Sequence, residues 1–354
     1  MGLSAIMNSV FGRGGRKKPV IKFTSNAYDP FVQSLTCKGT ITIESIKDGN
    51  PVVETYSNLT DTLVNIQADA DTEITITGNV IKLDFAVYND DPDVDDYEGC
   101  FDISTVEVSE CGRLKSLAVP YCENITELNL AANTALQYLY CGNTSITELN
   151  LAANTALQTL YCNGCTSITK LNLAANTALQ TLDCGNTSIT ELNLAANTAL
   201  QYLYCNWCTS ITKLNLAANT ALQTLYCGNT SITKLNLAAN TALQTLYCNG
   251  CTSITELNLA ANTALQYLDC GNTSITELNL AANTALQTLD CNGCTSVSNI
   301  SYPATNGNVS TAIAGAITNA TASDGTVYTD SAAAHYSTIA DAATAKGWTI
   351  SQLQ

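Results

Sequence analysis

The sequence predicts a mainly β protein whose central part is a solenoid of stacked coils with two short strands per coil. The segment Leu-Asn-Leu-Ala-Ala-Asn-Thr-Ala-Leu-Gln occurs eight times in the 354 residues. Successive copies are separated by steps that alternate between 21 and 22 residues, so the larger unit is 43 residues. A short repeat of fixed period is typical of solenoids, in which each coil buries its apolar face against its neighbours. The copies begin at Leu128, Leu149, Leu171, Leu192, Leu214, Leu235, Leu257 and Leu278.

A single coil, from Leu136 to Leu157, contains the apolar pattern L-x-x-L-x-L or L-x-x-L-x-C twice. Each L-x-L or L-x-C piece predicts a short strand with alternate side chains pointing inward. Tight polar turns join the two strands, so the coil is flattened. Because strands in a sheet lie about 4.8 Å apart, eight coils span roughly 40 Å.

The third residue of each Ala-Ala-Asn segment predicts an internal structural ladder. Buried asparagines can satisfy backbone groups that stacked coils leave unpaired. The ladder consists of Asn133, Asn154, Asn176, Asn197, Asn219, Asn240, Asn262 and Asn283.

These motifs resemble the leucine-rich-repeat family over residues 106–302. They are similar to its tandem form, L-x-x-L-x-C-x-x-N-x-L followed by L-x-L-x-x-N-T-A-L, which is found in Bacteroidetes proteins and their phages. The resemblance implies a solenoid whose L-x-x-L-x-C strands line one face. It implies no particular activity, because function depends on sites rather than on the fold.

Residue types mark four predicted regions. No proline lies between Pro120 and Pro303, and all five phenylalanines precede the repeats. We therefore predict a basic N-terminal arm (1–19), a small β-rich N-terminal domain that caps the solenoid (20–105), the repeat array (106–302) and a small α/β C-terminal cap (303–354).

Alternating residues predict strands at Thr40–Ile46 and Glu73–Ile76, with a turn at Asp48-Gly49-Asn50. A degenerate early repeat is predicted from Val106 to Glu127, and Ile300 to Tyr302 is interpreted as the stub of a last one. In the C-terminal cap, Ser337 to Lys346 predicts a short helix that ends at Gly347. A strand is expected from Trp348 to Ile350.

The charge balance argues against some classes of partner. The net charge is −16, and such an acidic surface repels nucleic acid and anionic membranes. No apolar run approaches the roughly 20 residues that span a bilayer. We expect no secretory signal, because the basic run Arg13, Arg16, Lys17, Lys18 follows the mildly apolar start instead of preceding it.

Most of the sixteen cysteines follow the repeat. The C-x-x-C pairs, such as Cys162 and Cys165, allow three interpretations: a zinc site, disulfides, or small buried apolar residues. Zinc needs four ligands, and the next pair is two coils away, which favours reduced, buried thiols in a reducing cytoplasm. One ladder is Cys141, Cys162, Cys184, Cys205, Cys227, Cys248, Cys270 and Cys291, and the second is Cys122, Cys165, Cys208, Cys251 and Cys294.

The sequence offers little support for catalysis, and we expect no catalytic residues, metal ion or cofactor. The single histidine, His335, lies outside the array. Asp269 and Asp290 occupy equivalent positions on adjacent coils, and a glycosidase could use such a pair. The acidic run from Asp90 to Glu98 lacks the spacing of a calcium loop.

Tyrosines recur at positions expected to point out of the L-x-x-L-x-C sheet. Aromatic side chains are common at interfaces, so these residues could bind protein or glycan. Alternatively, tyrosine stacking between coils simply stabilises the sheet. Trp207, where sister repeats have glycine, is a further exposed candidate. The tyrosines are Tyr138, Tyr140, Tyr161, Tyr202, Tyr204, Tyr226, Tyr247 and Tyr267.

The opposite edge carries charges that we expect to aid solubility and to discourage slippage between coils. They are Glu148, Lys170, Glu191, Lys213, Lys234, Glu256 and Glu277.

The sequence thus predicts a non-enzymatic structural or adhesive protein, foremost a phage virion component such as a capsid fibre or decoration protein. It would be assembled in the host cytoplasm, with Arg13, Arg16, Lys17 and Lys18 as an attachment arm or, alternatively, a disordered one. The expected partner is a capsid or other virion protein, or a surface glycan, and a homo-oligomer is left open. The alternative is a bacterial protein- or glycan-binding module in the cytoplasm or at the cell surface.

Overall fold

The computed structural model describes residues 18–27, 30–85, 103–302, 307–323, 325–329 and 336–352. It confirms a mainly β fold, in which a solenoid of stacked coils lies between a β-rich N-terminal part and a small C-terminal cap that contains helices. Within the described ranges, no helix is long and apolar enough to cross a membrane.

The described part of the N-terminal region contains eight strands. They are β1 (Val20–Ser25), β2 (Phe31–Cys37), β3 (Thr40–Lys47), β4 (Asn50–Ser57), β5 (Thr62–Asn65), β6 (Glu73–Thr77), β7 (Val80–Asp84) and β8 (Ile103–Glu107). Five of them form an antiparallel sheet in the order β4-β3-β6-β1-β8. The two strands predicted from alternating residues are confirmed as β3 and β6.

Strands β3 and β4 form a hairpin around the predicted turn. Asp48 and Gly49 both have positive φ, 52° and 72°. Positive φ at both central residues gives a turn whose twist matches that of the flanking strands, and Asp and Gly tolerate this conformation. The carboxylate of Asp69 fixes the turn by accepting hydrogen bonds from the backbone N–H groups of Asp48 and Gly49, at 2.9 and 3.0 Å.

A second sheet, of twelve strands, follows the whole length of the array. Nine of its strands are three-residue pieces, one from each coil. They pair in parallel with leucine opposite leucine, as Leu182 is opposite Leu203. The predicted degenerate first repeat is confirmed as the coil that contains β9. The nine are β9 (Ser116–Ala118), β10 (Tyr138–Tyr140), β11 (Thr159–Tyr161), β12 (Thr181–Asp183), β13 (Tyr202–Tyr204), β14 (Thr224–Tyr226), β16 (Thr245–Tyr247), β18 (Tyr267–Asp269) and β20 (Thr288–Asp290).

Three N-terminal strands continue this long sheet beyond the first coil. Strand β7 pairs in parallel with β9, with Leu83 opposite Leu117, and β2 and β5 follow in antiparallel pairing. The sequence did not predict this continuity, because β7 has the leucine of a coil but not its Asn-Thr-Ala-Leu turn. The N-terminal strands therefore cover the edge that the first coil would otherwise expose.

The Leu-Asn-Leu side of the coils is less regular. The hydrogen bond from Thr190 N to Thr169 O on this side is 3.4 Å long, whereas Gln201 N lies 2.8 Å from Gln180 O on the sheet side. The coils are therefore more loosely joined here, and regular strands form only in the later ones. These strands are β15 (Leu235–Asn236), β17 (Leu257–Asn258), β19 (Glu277–Asn279) and β21 (Asn299–Ser301).

The C-terminal cap continues the stack on this second side. Helices α1 (Gly307–Asn319) and α2 (Tyr336–Lys346) alternate with β22 (Thr326–Thr329) and β23 (Thr349–Gln352). The strands run in parallel in the order β19-β21-β22-β23, so β21 is the predicted stub of a last repeat. The predicted helix and the predicted final strand are confirmed as α2 and β23. Helix α2 ends before Gly347, whose φ is 80°. Helix α1 was not predicted; its Ile313 and Ile317 are buried beneath the last coil.

The asparagine ladder joins each coil to the one before it. The Nδ2 group of Asn197 donates to the carbonyl oxygens of Leu173 and Asn176, at 3.0 and 2.8 Å. Equivalent pairs of bonds occur at all eight asparagines, whose side chains are 0–1% exposed. Their Oδ1 atoms have no hydrogen-bond partner among the described residues, so the side chain serves as a donor. The predicted structural ladder is confirmed.

We expect Asn197→Asp to destabilise the array strongly, because a carboxylate cannot donate to Leu173 O and Asn176 O. Each buried carbonyl left without a donor costs about 1–3 kcal/mol. The matched control is Asn193→Asp on the exposed surface of the same coil, where Oδ1 accepts from Ala195 N at 3.1 Å and a carboxylate can do the same. Thermal unfolding followed by circular dichroism should show a large fall in Tm for the first variant only. Equal Tm values for the two variants would refute the role of the ladder.

Candidate binding face of the long sheet

The residues on either side of the buried leucine of each strand point out of the long sheet. They form two rows, which we call the sheet face, and all eight predicted tyrosines belong to them. The first row is Tyr138, Thr159, Thr181, Tyr202, Thr224, Thr245, Tyr267 and Thr288. The second row is Tyr140, Tyr161, Asp183, Tyr204, Tyr226, Tyr247, Asp269 and Asp290.

Four tyrosines in the later coils form a continuous stack. The ring centroids of Tyr204 and Tyr226 are 4.9 Å apart, those of Tyr226 and Tyr247 are 4.1 Å apart, and those of Tyr247 and Tyr267 are 4.6 Å apart. Tyr267 belongs to the first row and still reaches Tyr247 in the second, because Asp269 occupies the next position in that row. The stack supports the sheet, and each ring keeps a partly exposed edge.

The start of the face is more covered than the sequence predicts. The ring of Tyr140 lies 5.6 Å from that of Tyr161 in an edge-to-face contact, and Tyr138 contacts Tyr161 in the same way at 5.9 Å. Tyr140 is only 6% exposed. It therefore presents little surface to a partner, whereas Tyr138 and Tyr161 are partly exposed.

Asp183 interrupts the tyrosines of the second row. Its strand neighbours in register are Tyr161 and Tyr204, and Gly185 N donates a hydrogen bond to its Oδ1 at 3.0 Å. Burial raises the pKa of this carboxyl to about 6, although the bond from Gly185 partly offsets the shift. Within the described residues, no lysine or arginine forms an ion pair with it. The repeat pattern places Asp183 in the second row, but periodicity does not reveal that this carboxyl is partly buried.

The carboxylate pair considered for a glycosidase lies at the far end of the face. Asp269 and Asp290 are directly opposite in register. Their Oδ1 atoms accept hydrogen bonds from Gly271 N and Asn292 N, at 3.0 and 2.9 Å, so both carboxylates fix the turns that follow them. Burial, and to a lesser extent the charge of Asp290, raises the pKa of Asp269. Within the described ranges, no three His, Cys, Asp or Glu side chains come together to form a possible metal site.

Trp207 lies in the turn that follows Tyr204, and it is 56% exposed. Its φ is +63°, a left-handed conformation that costs a residue with a side chain about 1–2 kcal/mol. The equivalent residues Gly164, Gly250 and Gly293 have φ of 72°, 69° and 72°. Tyr121 holds the position in the degenerate first coil and is partly buried. Trp207 thus replaces a favourable glycine with an exposed indole.

A side chain at this position also crowds the preceding coil. A Cβ atom at Gly164 would overlap Oδ1 of Asn143, and a Cβ at Gly250 would overlap Oδ1 of Asn229. The asparagine that must give way to Trp207 is the equivalent residue Asn186. The sequence identified Trp207 by its exposure, and the structure adds that it is a costly residue for the fold.

Fourteen of the described cysteines are free and buried, and all of them except Cys37 of β2 lie in the coils. Burial raises the pKa of the Cys162, Cys205 and Cys248 thiols well above the ordinary value, so they are neutral apolar groups. The expectation that every cysteine is reduced is wrong for Cys122, which is disulfide-bonded. The remaining cysteine, Cys100, lies outside the described residues. Identical spacing along the second ladder could not distinguish its first member from the others.

The second cysteine ladder couples the coils in pairs. The thiol of Cys165 donates to Cys141 O on the preceding coil at 3.1 Å, and its sulfur lies 3.3 Å from Thr144 Oγ1. Thr144 Oγ1 also donates to Cys141 O, at 2.8 Å. The same arrangement joins Thr187 to Cys208, Thr230 to Cys251 and Thr273 to Cys294. This alternation of threonine and cysteine explains the 43-residue unit of the sequence.

The other predicted features lie away from the sheet face. All seven charged residues of the opposite edge are exposed, and none of them forms an ion pair with another described residue. In the basic arm, Lys18 is described and exposed, whereas Arg13, Arg16 and Lys17 lie outside the described residues. His335 and the acidic run from Asp90 to Glu98 also lie outside them.

We expect Asp183→Asn to raise the Tm of the protein at pH 8 and to change it little at pH 4. An unfolded aspartate has a pKa of about 4, so between about pH 4 and about pH 6 the unfolded chain loses this proton before the folded protein does. The contribution of Asp183 to stability therefore falls as the pH rises through this window. Asparagine keeps the oxygen that accepts from Gly185 N and removes the charge.

The control for this measurement is Glu191→Gln, which removes an exposed carboxylate from the opposite edge and should leave the Tm nearly unchanged at both pH values. An Asp183→Asn variant that gains equally at pH 4 and pH 8, or gains nothing at pH 8, would contradict the burial of a charge at this position.

Comparison with known proteins agrees with the repeat pattern. Residues 220–261 match the family described as Leucine Rich repeats (2 copies). No curated protein matches the sequence. The matched residues have the same pattern as the other copies of the array.

Two solved structures from Listeria monocytogenes are similar to the chain. One is the functional domain of InlJ, described as including a cysteine ladder, with 27% identity over 57% of this chain and 56% of that chain and a TM-score of 0.36. The other is an internalin, inlF, with 18% identity over 77% of this chain and 87% of that chain and a TM-score of 0.48. The chain thus spans only 56% of the length of the InlJ domain. Both TM-scores are below 0.5, and the fold assignment rests on the register and hydrogen bonds of the coils.

Proposed function

We propose that the chain is a non-enzymatic binding protein that contacts a partner protein through the sheet face. Its leucine-rich-repeat fold is of the protein-interaction and adhesion type. The observation that carries the proposal is a row of partly exposed tyrosines, with the strongly exposed Trp207 beside it, on a regular sheet. Rigid aromatic side chains provide a large contact area at a low cost in conformational entropy.

Stacking and binding are compatible roles for the tyrosines. The contacts from Tyr204 to Tyr267 hold the rings in place before any partner arrives. A prearranged surface loses less entropy on binding, which leaves more of the contact energy for affinity. Asp269 and Asp290 are neighbours, but each accepts a hydrogen bond from the turn that follows it, and Asp183 lies on a distant coil, so the enzyme hypothesis gains no support from these carboxylates.

The finer proposal is a phage virion component, such as a capsid fibre or decoration protein, assembled in the host cytoplasm. The fourteen free, buried thiols support assembly in a reducing compartment, whereas the disulfide at Cys122 does not. The basic arm of an otherwise acidic chain is suited to an acidic capsid or other virion protein. The alternative is a bacterial module, in the cytoplasm or at the cell surface, that binds a protein or a glycan.

Purified phage particles should contain the protein, and deletion of residues 1–18 should abolish its incorporation. The arm supplies four basic residues to an acidic protein, and the deletion ends before β1, so the repeat array should stay folded. Mass spectrometry of the particles measures incorporation, and circular dichroism checks the fold. Normal incorporation of the truncated protein would exclude the arm as the attachment device. Absence of the full chain from particles would favour the bacterial alternative.

The sheet face, rather than the charged edge, should make the main contacts of the array. Changing Tyr202, Tyr204 and Tyr226 together to Thr, the residue that the first row has in several coils, should weaken binding at least about tenfold. Binding is measured by cosedimentation: each purified variant is mixed with the phage particles or cells that contain the native chain, and the fraction that sediments with them is compared with that of the native protein.

The control variant neutralises Glu191, Lys213 and Lys234 together by changing each to Gln, and it should change binding less than about threefold, because exposed rim charges contribute little. Both variants must first show the circular dichroism spectrum of the native protein. If the charge variant loses binding and the tyrosine variant keeps it, the binding face is on the opposite edge. If neither loses binding, the array is a spacer.

A further inference from the structure

The turn at Trp207 is where the array departs from its own repeat. Three equivalent turns have glycine, at Gly164, Gly250 and Gly293, and each adopts the left-handed conformation without strain. Trp207 adopts the same conformation while more than half of its side chain remains exposed. An exposed indole gains little from packing, so the fold does not account for this residue. A contact with another molecule would account for it.

The turn lies next to Asp183, the partly buried carboxylate of the sheet face. Trp207 follows Tyr204 on one coil, and Tyr204 lies opposite Asp183 on the coil before it. Asn206, directly before Trp207, packs against Gly185, which holds the Asp183 carboxylate in place. Of the described residues, only Gly185 donates a hydrogen bond to this carboxylate. Trp207 therefore lies in the turn after the strand that faces this carboxylate, and the carboxylate has spare acceptor capacity.

The charge of the face has one sign. From Tyr138 to Asp290 the two rows contain three aspartates and no lysine or arginine. Three of the four lysines of the array, Lys170, Lys213 and Lys234, are exposed on the opposite edge, and the fourth, Lys115, lies in the first coil, before Tyr138. A surface that combines tyrosines with carboxylates is complementary to a cationic group, which can sit over an aromatic ring and pair with the carboxylate.

We propose that Trp207, Tyr204 and Asp183 form a docking point for a lysine or arginine side chain presented by an extended segment of a partner protein. This inference rests on the proposed function, namely that the sheet face binds a protein. A cation fits better than an uncharged glycan, because sugar hydroxyls would leave the Asp183 charge uncompensated at a partly buried position. Burial raises the pKa of Asp183, and a nearby cation would stabilise its charged form.

The test measures binding of a fluorescent oligolysine peptide to the full chain at low salt and pH 8 by fluorescence anisotropy. Trp207→Gly introduces the residue of the equivalent turns, so the variant should fold at least as well as the native protein. We expect it to weaken binding about tenfold, because truncating a central aromatic contact commonly has this effect. Asp183→Asn should weaken binding to a similar extent.

The matched control is Glu191→Gln, which removes the same charge from the opposite edge and should change the affinity less than about threefold. If it weakens binding as much as Asp183→Asn does, the peptide responds only to net charge and the proposal is overturned. Unchanged affinity of Trp207→Gly would overturn it as well. A third outcome would also overturn the proposal: oligolysine does not bind, but an uncharged oligosaccharide such as cellohexaose binds the native chain and not Trp207→Gly.

These outcomes are separable from failure of the proposed function. If oligolysine does not bind but the Tyr202, Tyr204 and Tyr226 variant still loses its native target, the sheet face binds a partner of another chemistry. If that variant keeps its native target while oligolysine binds the native chain and not Trp207→Gly, a docking point at Trp207 and Asp183 is supported, whereas the part of Tyr204 and the wider tyrosine surface are not.

Discussion

The donation of two hydrogen bonds from each buried asparagine to the preceding coil is the interaction on which the rest of the structure depends. A coil of 21 or 22 residues cannot bury its own apolar side chains, so it is stable only in register with a neighbour. The bonds from Asn197 to Leu173 O and Asn176 O set that register at the turn. Leucine then lies opposite leucine along the nine coil strands of the long sheet, and the interior forms one continuous core.

Because the stack constrains the inward side chains, the coils differ mainly at their outward positions. The inward residues recur almost without change from copy to copy, whereas the two outward rows contain tyrosine, threonine or aspartate. A carboxylate at Asp183 is tolerated because Gly185 supplies one hydrogen bond, although burial still raises its pKa to about 6. The sheet thus acts as a rigid frame on which contact residues can be exchanged without altering the stack.

Periodicity predicted the features that depend on local sequence. The solenoid, the Asp48-Gly49 hairpin and helix α2 each follow from a repeat spacing, a turn signal or a glycine at a helix end. Features that depend on contacts between residues far apart in the sequence could not be predicted in this way. Strand β7 joins the long sheet because Leu83 pairs with Leu117. Tyr140 is covered in part by the ring of Tyr161 on the next coil. The disulfide at Cys122 also depends on a partner that repeat spacing does not identify.

The doubling of the repeat explains where a contact residue such as Trp207 can arise. In the shorter coils, an asparagine such as Asn186 adopts positive φ at the turn after the strand, and in the longer coils a glycine such as Gly164 does so. The longer turn is the one that brings in the second cysteine, whose thiol bonds to the preceding coil. That bond holds the turn from its inner side, so the residue just before the cysteine is directed outward. A large residue there strains only its own backbone and the asparagine beside it, and the stack below remains intact.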